Sequence, residues 1–297
     1  MLLHNFASFL FTMKIAHVIL AHAYPEQLKR LVDKLSHPGA DCYIHIDAKS
    51  NAAAFSILQK MPNVHFIQKR VKITWGSYSI VQATLNSFEE IVASGIQYNY
   101  VNLLSGQDYP LNEASFIHQY FALHHGKQFM EFYSIYNTWQ EAIPRVAKYH
   151  LVSYDMRGKY KLEQVVNKLM PERRMPKGLE PVGRSQWFTI TLSAVRYILY
   201  YLHDYPEVVR FFKLTWAPDE FIFQTILYNS DLRGDMVNDN LRYIDWSDAK
   251  ERPKTLTMED APALEQSSCL FARKINMQID KRLFDTIDAF DGYMASA

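Results

Sequence analysis

The segment Trp216-Ala-Pro-Asp-Glu places two carboxylates directly after a proline. A proline in the first position and acidic residues in the first turn are typical of the start of a helix, so Asp219 and Glu220 are expected there. One interpretation is that both carboxylates only complement the helix dipole. The other is that Glu220 faces a cleft and acts as a general base, because a helix start keeps a carboxylate ionised.

A pair of cations, Arg273 and Lys274, follows the apolar residues Leu270-Phe-Ala. Cations that emerge from a buried strand often bind an anion, although an exposed surface pair is the plain alternative. The sequence contains no Asp-x-Asp pair of the kind that holds a divalent ion against a nucleotide diphosphate, and no glycine-rich phosphate loop. If this protein binds a nucleotide diphosphate, we expect its own cations to neutralise the charge without a metal.

Strand and helix patterns alternate over the first part of the chain. This order predicts an α/β fold, with an open, mostly parallel sheet and helices on both faces. Ligands of such sheets bind at the carboxyl ends of the strands, where this chain has His22, Asp47 with Lys49, and Ser105-Gly-Gln-Asp. The predicted strands cover residues 15–21, 42–47, 64–68 and 100–105, and the predicted helices cover residues 26–35, 51–60 and 79–93.

The second part of the chain is less regular. Residues 133–181 are expected to form a loop-rich excursion over the surface, either a lid or acceptor-binding segment or a solvated connection. No segment has the composition of an interdomain linker, so residues 13–297 are predicted to form a single domain, with a nucleotide-binding half (13–112) and an acceptor-binding, catalytic half (113–297). The further predicted elements are a strand at 186–191, a helix at 193–202, a helix from Pro218 and a strand at 241–245.

The composition narrows the class of function. The 297-residue chain has 32 Lys and Arg against 31 Asp and Glu. Proteins held to nucleic acid by phosphate contacts usually have a strong basic excess, so nucleic acid is not an expected partner. The two cysteines, Cys42 and Cys269, exclude a disulfide framework and favour a reducing compartment.

The first twelve residues are apolar, but they are too few to span a membrane, which takes about 20 apolar residues. They also lack the pattern of a signal peptide. We interpret residues 1–12 as an N-terminal extension that need not be native. The expected location is cytoplasmic, and peripheral contact with the inner membrane stays open.

Seven short segments share an order that is typical of one enzyme family. Together they resemble the core-2/I-branching N-acetylglucosaminyltransferase family (glycosyltransferase family 14), which includes the peptide O-xylosyltransferases. Without a membrane anchor, a stem or many cysteines, the chain is similar to a bacterial-type member. The segments are His45-Ile-Asp-Ala-Lys-Ser, Trp75-Gly-Ser-Tyr-Ser, Asn102-Leu-Leu-Ser-Gly-Gln-Asp, Ser185-Gln-Trp-Phe, Pro218-Asp-Glu, Arg242-Tyr-Ile-Asp-Trp and Leu270-Phe-Ala-Arg-Lys.

The resemblance implies a GT-A fold, which is a Rossmann-like sheet, and transfer of a sugar from a UDP donor with inversion and without a metal. It implies that Glu220 is the catalytic base, that Asp47 contacts the uridine and that Trp75 lies near the donor. Lys274, helped by Arg273, is expected to neutralise the diphosphate. The remaining donor-site candidates are His22, Lys49 and a second diphosphate cation, for which Arg252 and Lys254 compete.

The acceptor side is implied in the same way. Gln186 stands where the xylosyltransferases carry an acid before the tryptophan, which disfavours xylose as the donor sugar. N-acetylglucosamine is the leading donor, with xylose, glucose and galactose as alternatives, and the expected acceptor is a hydroxyl of a glycan in surface polysaccharide or lipopolysaccharide synthesis. A catalytically silent nucleotide-sugar-binding protein is the rival hypothesis. The acceptor-site candidates are Gln107, Asp108, Gln186, Trp187, Asp219 and Trp246.

Overall fold

The computed structural model describes residues 13–248 and 252–290, so the predicted extension at residues 1–12 lies outside the described residues. The strands of the described part are β1 (Ile15–Ala21), β2 (Ala40–Ile46), β3 (Val64–Phe66), β4 (Tyr100–Ser105), β5 (Asp108–Pro110), β6 (Gln128–Ser134), β7 (Val182–Thr191), β8 (Met236–Asn238), β9 (Arg242–Ile244) and β10 (Phe271–Arg273).

The main sheet has the strand order β3-β2-β1-β4-β7-β6-β8, and a small sheet has the order β5-β10-β9. Strands β1 to β4 are parallel to one another, and β8 is parallel to β6. The long strand β7 runs antiparallel to both of its neighbours, β4 and β6. The predicted α/β fold with a mostly parallel sheet is therefore confirmed, and β7 is its antiparallel member.

The helices cover the sheet and connect its strands. In the described residues they are α1 (Pro25–Lys34), α2 (Tyr78–Ala93), α3 (Ala114–Leu123), α4 (Ile143–Ala147), α5 (Lys159–Leu169), α6 (Leu192–Asp204), α7 (Pro206–Lys213), α8 (Ile222–Tyr228), α9 (Ala261–Glu265) and α10 (Lys281–Asp288). The helix predicted over 51–60 is a 3₁₀ helix, Ala52–Leu58, and the predicted loop region 133–181 contains α4 and α5. No helix of the described residues is long and apolar enough to cross a membrane.

The position of β1 follows from its sequence, because all seven of its residues are buried. Side chains alternate along a strand, so successive residues enter different cores. Ala16, Val18 and Leu20 belong to the core cluster that includes α2 and α6. Ile15 and Ile19 belong to the cluster on the other side, with α1 and α10. Helices on both faces make an uninterrupted apolar strand stable at the centre of the sheet.

The segment after β10 packs against the first half of the fold. Gln27 of α1 is buried, and its side-chain amide donates to the carbonyl oxygens of Gly106 (2.8 Å) and Ile275 (3.1 Å). The backbone N–H of Met277 donates to the side-chain oxygen of Gln27 at 2.9 Å. These bonds hold the segment after β10 against the carboxyl ends of β1 and β4, where ligands of such sheets bind.

Candidate active site

The segment that carries Glu220 is fixed by two glycines. Gly183 of β7 lies so close to it that an added Cβ would overlap the Glu220 carbonyl oxygen. Gly76 has a φ of +71°, and a Cβ there would lie 2.9 Å from Nε1 of Trp216. The N–H of Ala217 donates to the Gly76 carbonyl at 2.7 Å. These close approaches join Trp75-Gly76, Trp216-Ala217 and β7 into one wall.

The predicted helix start at Pro218 takes a different form. Pro218–Glu220 is one turn of 3₁₀ helix, and Phe221, with φ −151°, separates it from α8. Glu220 therefore does not lie in the first turn of a continuous α-helix, and the prediction of a helix that begins at Pro218 is wrong in this respect. The charge that faces Glu220 comes from an arginine instead.

Arg145 of α4 is the direct partner of Glu220. Its Nη1 donates to Glu220 Oε2 in a short ion pair. The guanidinium also lies over two indole rings, 4.8 Å from the Trp139 centroid and 4.4 Å from the Trp216 centroid. Cation–π contacts of this kind fix the position of a guanidinium. The Glu220 side chain is still 32% exposed, so a ligand can reach its carboxylate.

Asp219, its neighbour, is in a different environment. It is buried, and its Oδ1 has no hydrogen-bond partner in the described residues. Burial raises the pKa of Asp219 to about 7, and the negative charge of Glu220 adds to the rise. A dipole-stabilised carboxylate would have a lowered pKa, so Asp219 does not have the dipole role that its position in the sequence first indicated.

The sequence interpretation missed Glu131, in β6. It accepts a hydrogen bond from Nδ2 of Asn240 at 3.1 Å. Burial raises the pKa of Glu131, Arg184 opposes the rise, and the charges of Asp239 and Glu220 add to it. Glu131 therefore lies within electrostatic reach of Glu220. A charged residue inside the otherwise apolar and aromatic stretch 129–133 is the one signal that could have drawn attention to it.

The cation pair predicted at the end of the chain lies at the small sheet. Arg273 and Asp108 are paired residues of the antiparallel strands β10 and β5, and Arg273 Nη1 lies 3.1 Å from Asp108 Oδ1. The fully buried Asp108 also accepts from the N–H of Ser105 (2.9 Å) and from its hydroxyl (3.0 Å). Asp108 is therefore engaged by Arg273 and Ser105 rather than presented to an open surface.

The other face of Arg273 lies on Trp187, with its guanidinium carbon 4.1 Å from the ring centroid. Trp187 is a buried residue of β7, as Gly183 is. The two positions are four residues apart, which is at most about 13 Å of extended chain. One strand thus contacts the Glu220 segment at one position and the cation pair at another.

Lys274 lies within electrostatic reach of two other cations and of one carboxylate. Burial lowers the pKa of Lys274, Arg273 and Arg252 lower it further, and Asp108 opposes them. Arg252 therefore lies within electrostatic reach of Lys274. Lys254, its competitor in the sequence interpretation, binds Asp260 (2.7 Å) and lies 3.7 Å from Asp245. The structure favours Arg252 as the second cation, because Lys254 already has two carboxylate partners.

The predicted uridine contact Asp47 and the donor-site candidate His22 lie close to each other at the ends of β2 and β1. Asp47 is buried, and its Oδ1 accepts from the N–H groups of Lys49 (2.9 Å) and Ile73 (3.3 Å). Burial lowers the pKa of His22; the charge of Asp47 opposes this, and those of Lys274 and Lys49 add to it. His22 therefore lies within electrostatic reach of both Asp47 and Lys274, which connects the ends of β1 and β2 with the cations after β10.

The remaining candidates are Trp75, Gln107, Gln186 and Trp246. Trp75 is 53% exposed and meets Trp216 edge to face at 5.5 Å. Both rings line a cavity of about 200 Å³ together with residues of α5. The Gln107 carbonyl accepts from the N–H of Ile275 at 3.0 Å. Gln186 is half-buried in β7, and Trp246 is exposed in the segment after β9.

In residues 13–248 and 252–290, no three His, Cys, Asp or Glu side chains are grouped so that they could hold a metal ion. The charged groups within electrostatic reach of His22, at the end of β1, are Asp47, Lys49 and Lys274.

A model of the Core-2/I-Branching enzyme family matches residues 15–266. The chain belongs to this family. The predicted membership in this glycosyltransferase family is thereby confirmed, and the match covers the ends of β1, β2 and β4 as well as the Glu220 segment.

Two xylosyltransferases from animals are similar to this chain. Xylosyltransferase 2 of Mus musculus is 25% identical over 303 residues, which cover 93% of this chain and 33% of the mouse protein. Xylosyltransferase oxt of Drosophila melanogaster is 23% identical over 278 residues, which cover 86% of this chain and 31% of the fly protein. The chain thus spans about a third of the length of these relatives.

A likeness to a solved structure is weaker. A UDP-glucose pyrophosphorylase structure from Leishmania major aligns with 67% of this chain and 52% of that one, with a TM-score of 0.30 and 11% identity. A score this low supports no argument about fold or function, so the family assignment rests on the sequence matches.

Proposed function

We propose that this family member is an inverting glycosyltransferase that needs no metal and moves a sugar from a UDP-sugar to a hydroxyl of a glycan acceptor. The observation that carries the proposal is the arrangement along β7. This strand contacts the Glu220 segment at Gly183 and the Arg273 cation at Trp187. A carboxylate and a group of cations one short stretch of strand apart can act on the two ends of the same donor.

Glu220 is the proposed general base. Inversion takes a single displacement, in which the acceptor oxygen forms a bond to the anomeric carbon as the bond to the diphosphate breaks. The acceptor proton passes to Glu220, and one base is enough for this step. Arg145 holds the carboxylate in place before the acceptor arrives. Asp219 is buried, whereas Glu220 is partly exposed, so Asp219 is proposed to lie on the acceptor side without taking the proton.

The cations are the proposed replacement for a metal. Negative charge grows on the leaving diphosphate, and fixed cations stabilise it most in the transition state. Lys274 suits this role because its pKa is lowered by burial and by the charges of Arg273 and Arg252. An anion placed among the three groups relieves their repulsion, so binding a diphosphate is favourable here. Arg273, already paired with Asp108, mainly supports Lys274.

The donor sugar is proposed to be N-acetylglucosamine. The second candidate is xylose, which two observations favour: the relatives named above are called xylosyltransferases, and they match most of this chain. Gln186 in place of an acid is the residue that argues against xylose. The proposed acceptor is a glycan of a bacterial surface polysaccharide or lipopolysaccharide.

A panel of nucleotide sugars tests this function. We would measure the thermal shift of the chain with UDP-N-acetylglucosamine, UDP-xylose, UDP-glucose and UDP-galactose, and with the matching GDP-sugars as controls. A ligand that binds the folded state raises the melting temperature according to its affinity. Stabilisation by UDP-sugars and not by GDP-sugars supports the proposal, and the sugar with the largest shift identifies the donor.

Product analysis separates the remaining alternatives. Free sugar formed from the donor at the same rate with and without acceptor glycans would indicate a hydrolase. Binding without any product, under conditions in which the Glu220→Gln variant binds equally well, would indicate a silent binding protein. Transfer to an acceptor hydroxyl with inverted configuration is the expected result.

A further inference from the structure

Helix α5 has its apolar side chains on the outside. None of its residues is buried. Leu162, Val165 and Leu169 are 42%, 51% and 75% exposed, and Met170, directly after the helix, is 52% exposed. Residues spaced by three and four positions lie on one face of a helix. Leu162, Val165 and Leu169 therefore form one apolar stripe, which faces away from the protein, and the exposed Met170 follows directly after it.

The polar side chains of α5 hold the helix in this orientation. Asn167 accepts from the N–H of Tyr149 and donates to its carbonyl, both at 2.8 Å. Glu163, one turn earlier, accepts from the N–H of Leu151 at 2.7 Å. A surface helix normally turns its apolar side to the core and its polar side to water. In α5 the arrangement is reversed, because the polar side makes the contacts with the body of the protein.

The segment that carries the stripe has an excess of positive charge. Over residues 154–178, five Lys and Arg residues are exposed, against two exposed acidic residues. Two further cations are less exposed: Lys159 is half-buried, and Arg173 turns inward and donates to the carbonyls of Lys148 and Leu214. The chain as a whole is close to neutral, so the excess is local. The exposed cations are Arg157, Lys161, Lys168, Arg174 and Lys177, and the exposed acids are Asp155 and Glu172.

We propose that this surface, the apolar stripe with Lys161, Lys168 and Arg174 beside it, docks on an anionic lipid bilayer. Apolar side chains that enter the headgroup region and cations that meet anionic lipids are the two contributions that bind an amphipathic helix to a membrane. A second copy of the chain is a poorer occupant, because a twofold contact places the same patch against itself and brings the two sets of cations together. The docking does not depend on the transfer reaction.

Vesicle binding tests the proposal with the full chain. Co-sedimentation would be measured with vesicles of phosphatidylglycerol and phosphatidylethanolamine, and with vesicles of phosphatidylcholine alone. We expect binding to the anionic vesicles, and a partition coefficient at least about tenfold lower for the triple variant Leu162→Gln, Val165→Gln, Leu169→Gln. The matched control replaces exposed apolar residues elsewhere, Leu123→Gln, Tyr200→Gln and Ile279→Gln, and is expected to bind like the unaltered chain.

A second variant tests the charge contribution. Lys161→Gln, Lys168→Gln and Arg174→Gln together should weaken binding to anionic vesicles, by about fivefold for each cation at the surface. The exposed cations Lys60 and Lys281 lie outside the patch, and replacing both by Gln is the control. Thermal unfolding of all variants shows whether they are folded.

Three results would overturn the proposal. The first is no binding of the unaltered chain to anionic vesicles, and the second is equal binding of the folded apolar triple variant. The third is a dimer in light scattering that the apolar triple variant converts to a monomer with no change in vesicle binding, which would assign the surface to a second copy of the chain.

Discussion

Arg273 and Arg145 each lie on tryptophan rings and form an ion pair with a carboxylate, but the two ion pairs differ in their exposure. Arg273 lies on Trp187 and is paired with Asp108, and Arg145 lies on Trp139 and Trp216 and is paired with Glu220. The difference is in the carboxylates. Asp108 is fully buried, whereas Glu220 is about a third exposed.

The environment of each carboxylate decides what it can do. Asp108 also accepts one hydrogen bond from Ser105 on each of its oxygens, and its full burial keeps a ligand away from it. This pair fixes strands β5 and β10 and the place of Lys274. Glu220 keeps an open side, where an acceptor hydroxyl can approach. A similar arginine–carboxylate pair is thus structural where the carboxylate is buried, as in Asp108, and suited to catalysis where it is exposed, as in Glu220.

The largest expected effect is on transfer by the Glu220→Gln variant. Removing the base is expected to lower the transfer rate by about a hundred- to ten-thousand-fold, since general base catalysis contributes that much. UDP affinity should be unchanged, because the base does not contact the diphosphate. Initial rates and calorimetric UDP binding measure the two effects. Glu113→Gln, an exposed acid paired with Lys34, is the control and should be fully active. A Glu220→Gln variant that transfers at the normal rate would contradict the base assignment.

The comparison predicts the opposite order for stability. Asp108→Asn leaves the buried Arg273 without a counter-charge, and breaking a buried pair in this way costs about 3–5 kcal/mol. Glu220→Gln breaks a more exposed pair and should lower the free energy of unfolding by less than about 1 kcal/mol. Urea unfolding of both variants gives the two values. If both variants lose the same stability, the distinction between the closed and the open pair is wrong.

The next effect is on UDP binding, and it separates two lysines. Lys274→Gln removes a charge-assisted contact worth about 1.5–3 kcal/mol, which is roughly ten- to a hundredfold in the dissociation constant. Lys254→Gln is the matched control, since Lys254 is paired with Asp260 and Asp245. Titration calorimetry with UDP measures both. Equal losses in the two variants would mean that the diphosphate does not lie at Lys274.

The smallest effect concerns Asp219 and pH. The pKa of Asp219 is raised from 3.8 to about 7 in the folded protein, so the folded state binds more protons than the unfolded state between these values. The contribution of Asp219 to stability is therefore present below about pH 4 and is lost as the pH rises to about 7. The Asp219→Asn variant should lack this decrease. Urea unfolding at several pH values measures it, and parallel pH profiles of the variant and the unaltered chain would contradict the raised pKa.

The parallel strands β1 to β4 could be predicted from the sequence, because burial produces apolar stretches, whereas no strand was predicted at β5, β6, β8 or β10. The bounds of β1 and β4 agree with the prediction to the residue. The prediction of a helix from Pro218 was wrong. The preference of proline and acidic residues for a helix start is a local rule, and it does not show that Phe221 separates this turn from the α-helix. That interruption comes from the packing of Glu220 and Phe221 against Gly183.

The candidate site was only partly predictable. Its residue types follow from family segments, but the Arg145 partner of Glu220 lies 75 positions away in a stretch without periodicity. The choice between Arg252 and Lys254 depends on which carboxylates fold next to each lysine or arginine, and local sequence contains no information on this. The outward stripe of α5 was missed for the same reason, since its orientation is set by Asn167 and Glu163 bonding to distant backbone.

The central claim is that the cations of this chain stabilise the leaving diphosphate while Glu220 activates the acceptor. The most direct test is the initial rate of sugar transfer from the UDP-sugar in excess EDTA, compared with the rate in Mg²⁺ or Mn²⁺. The account predicts the same rate in all three. Loss of transfer in EDTA, with recovery on adding the metal, would contradict it.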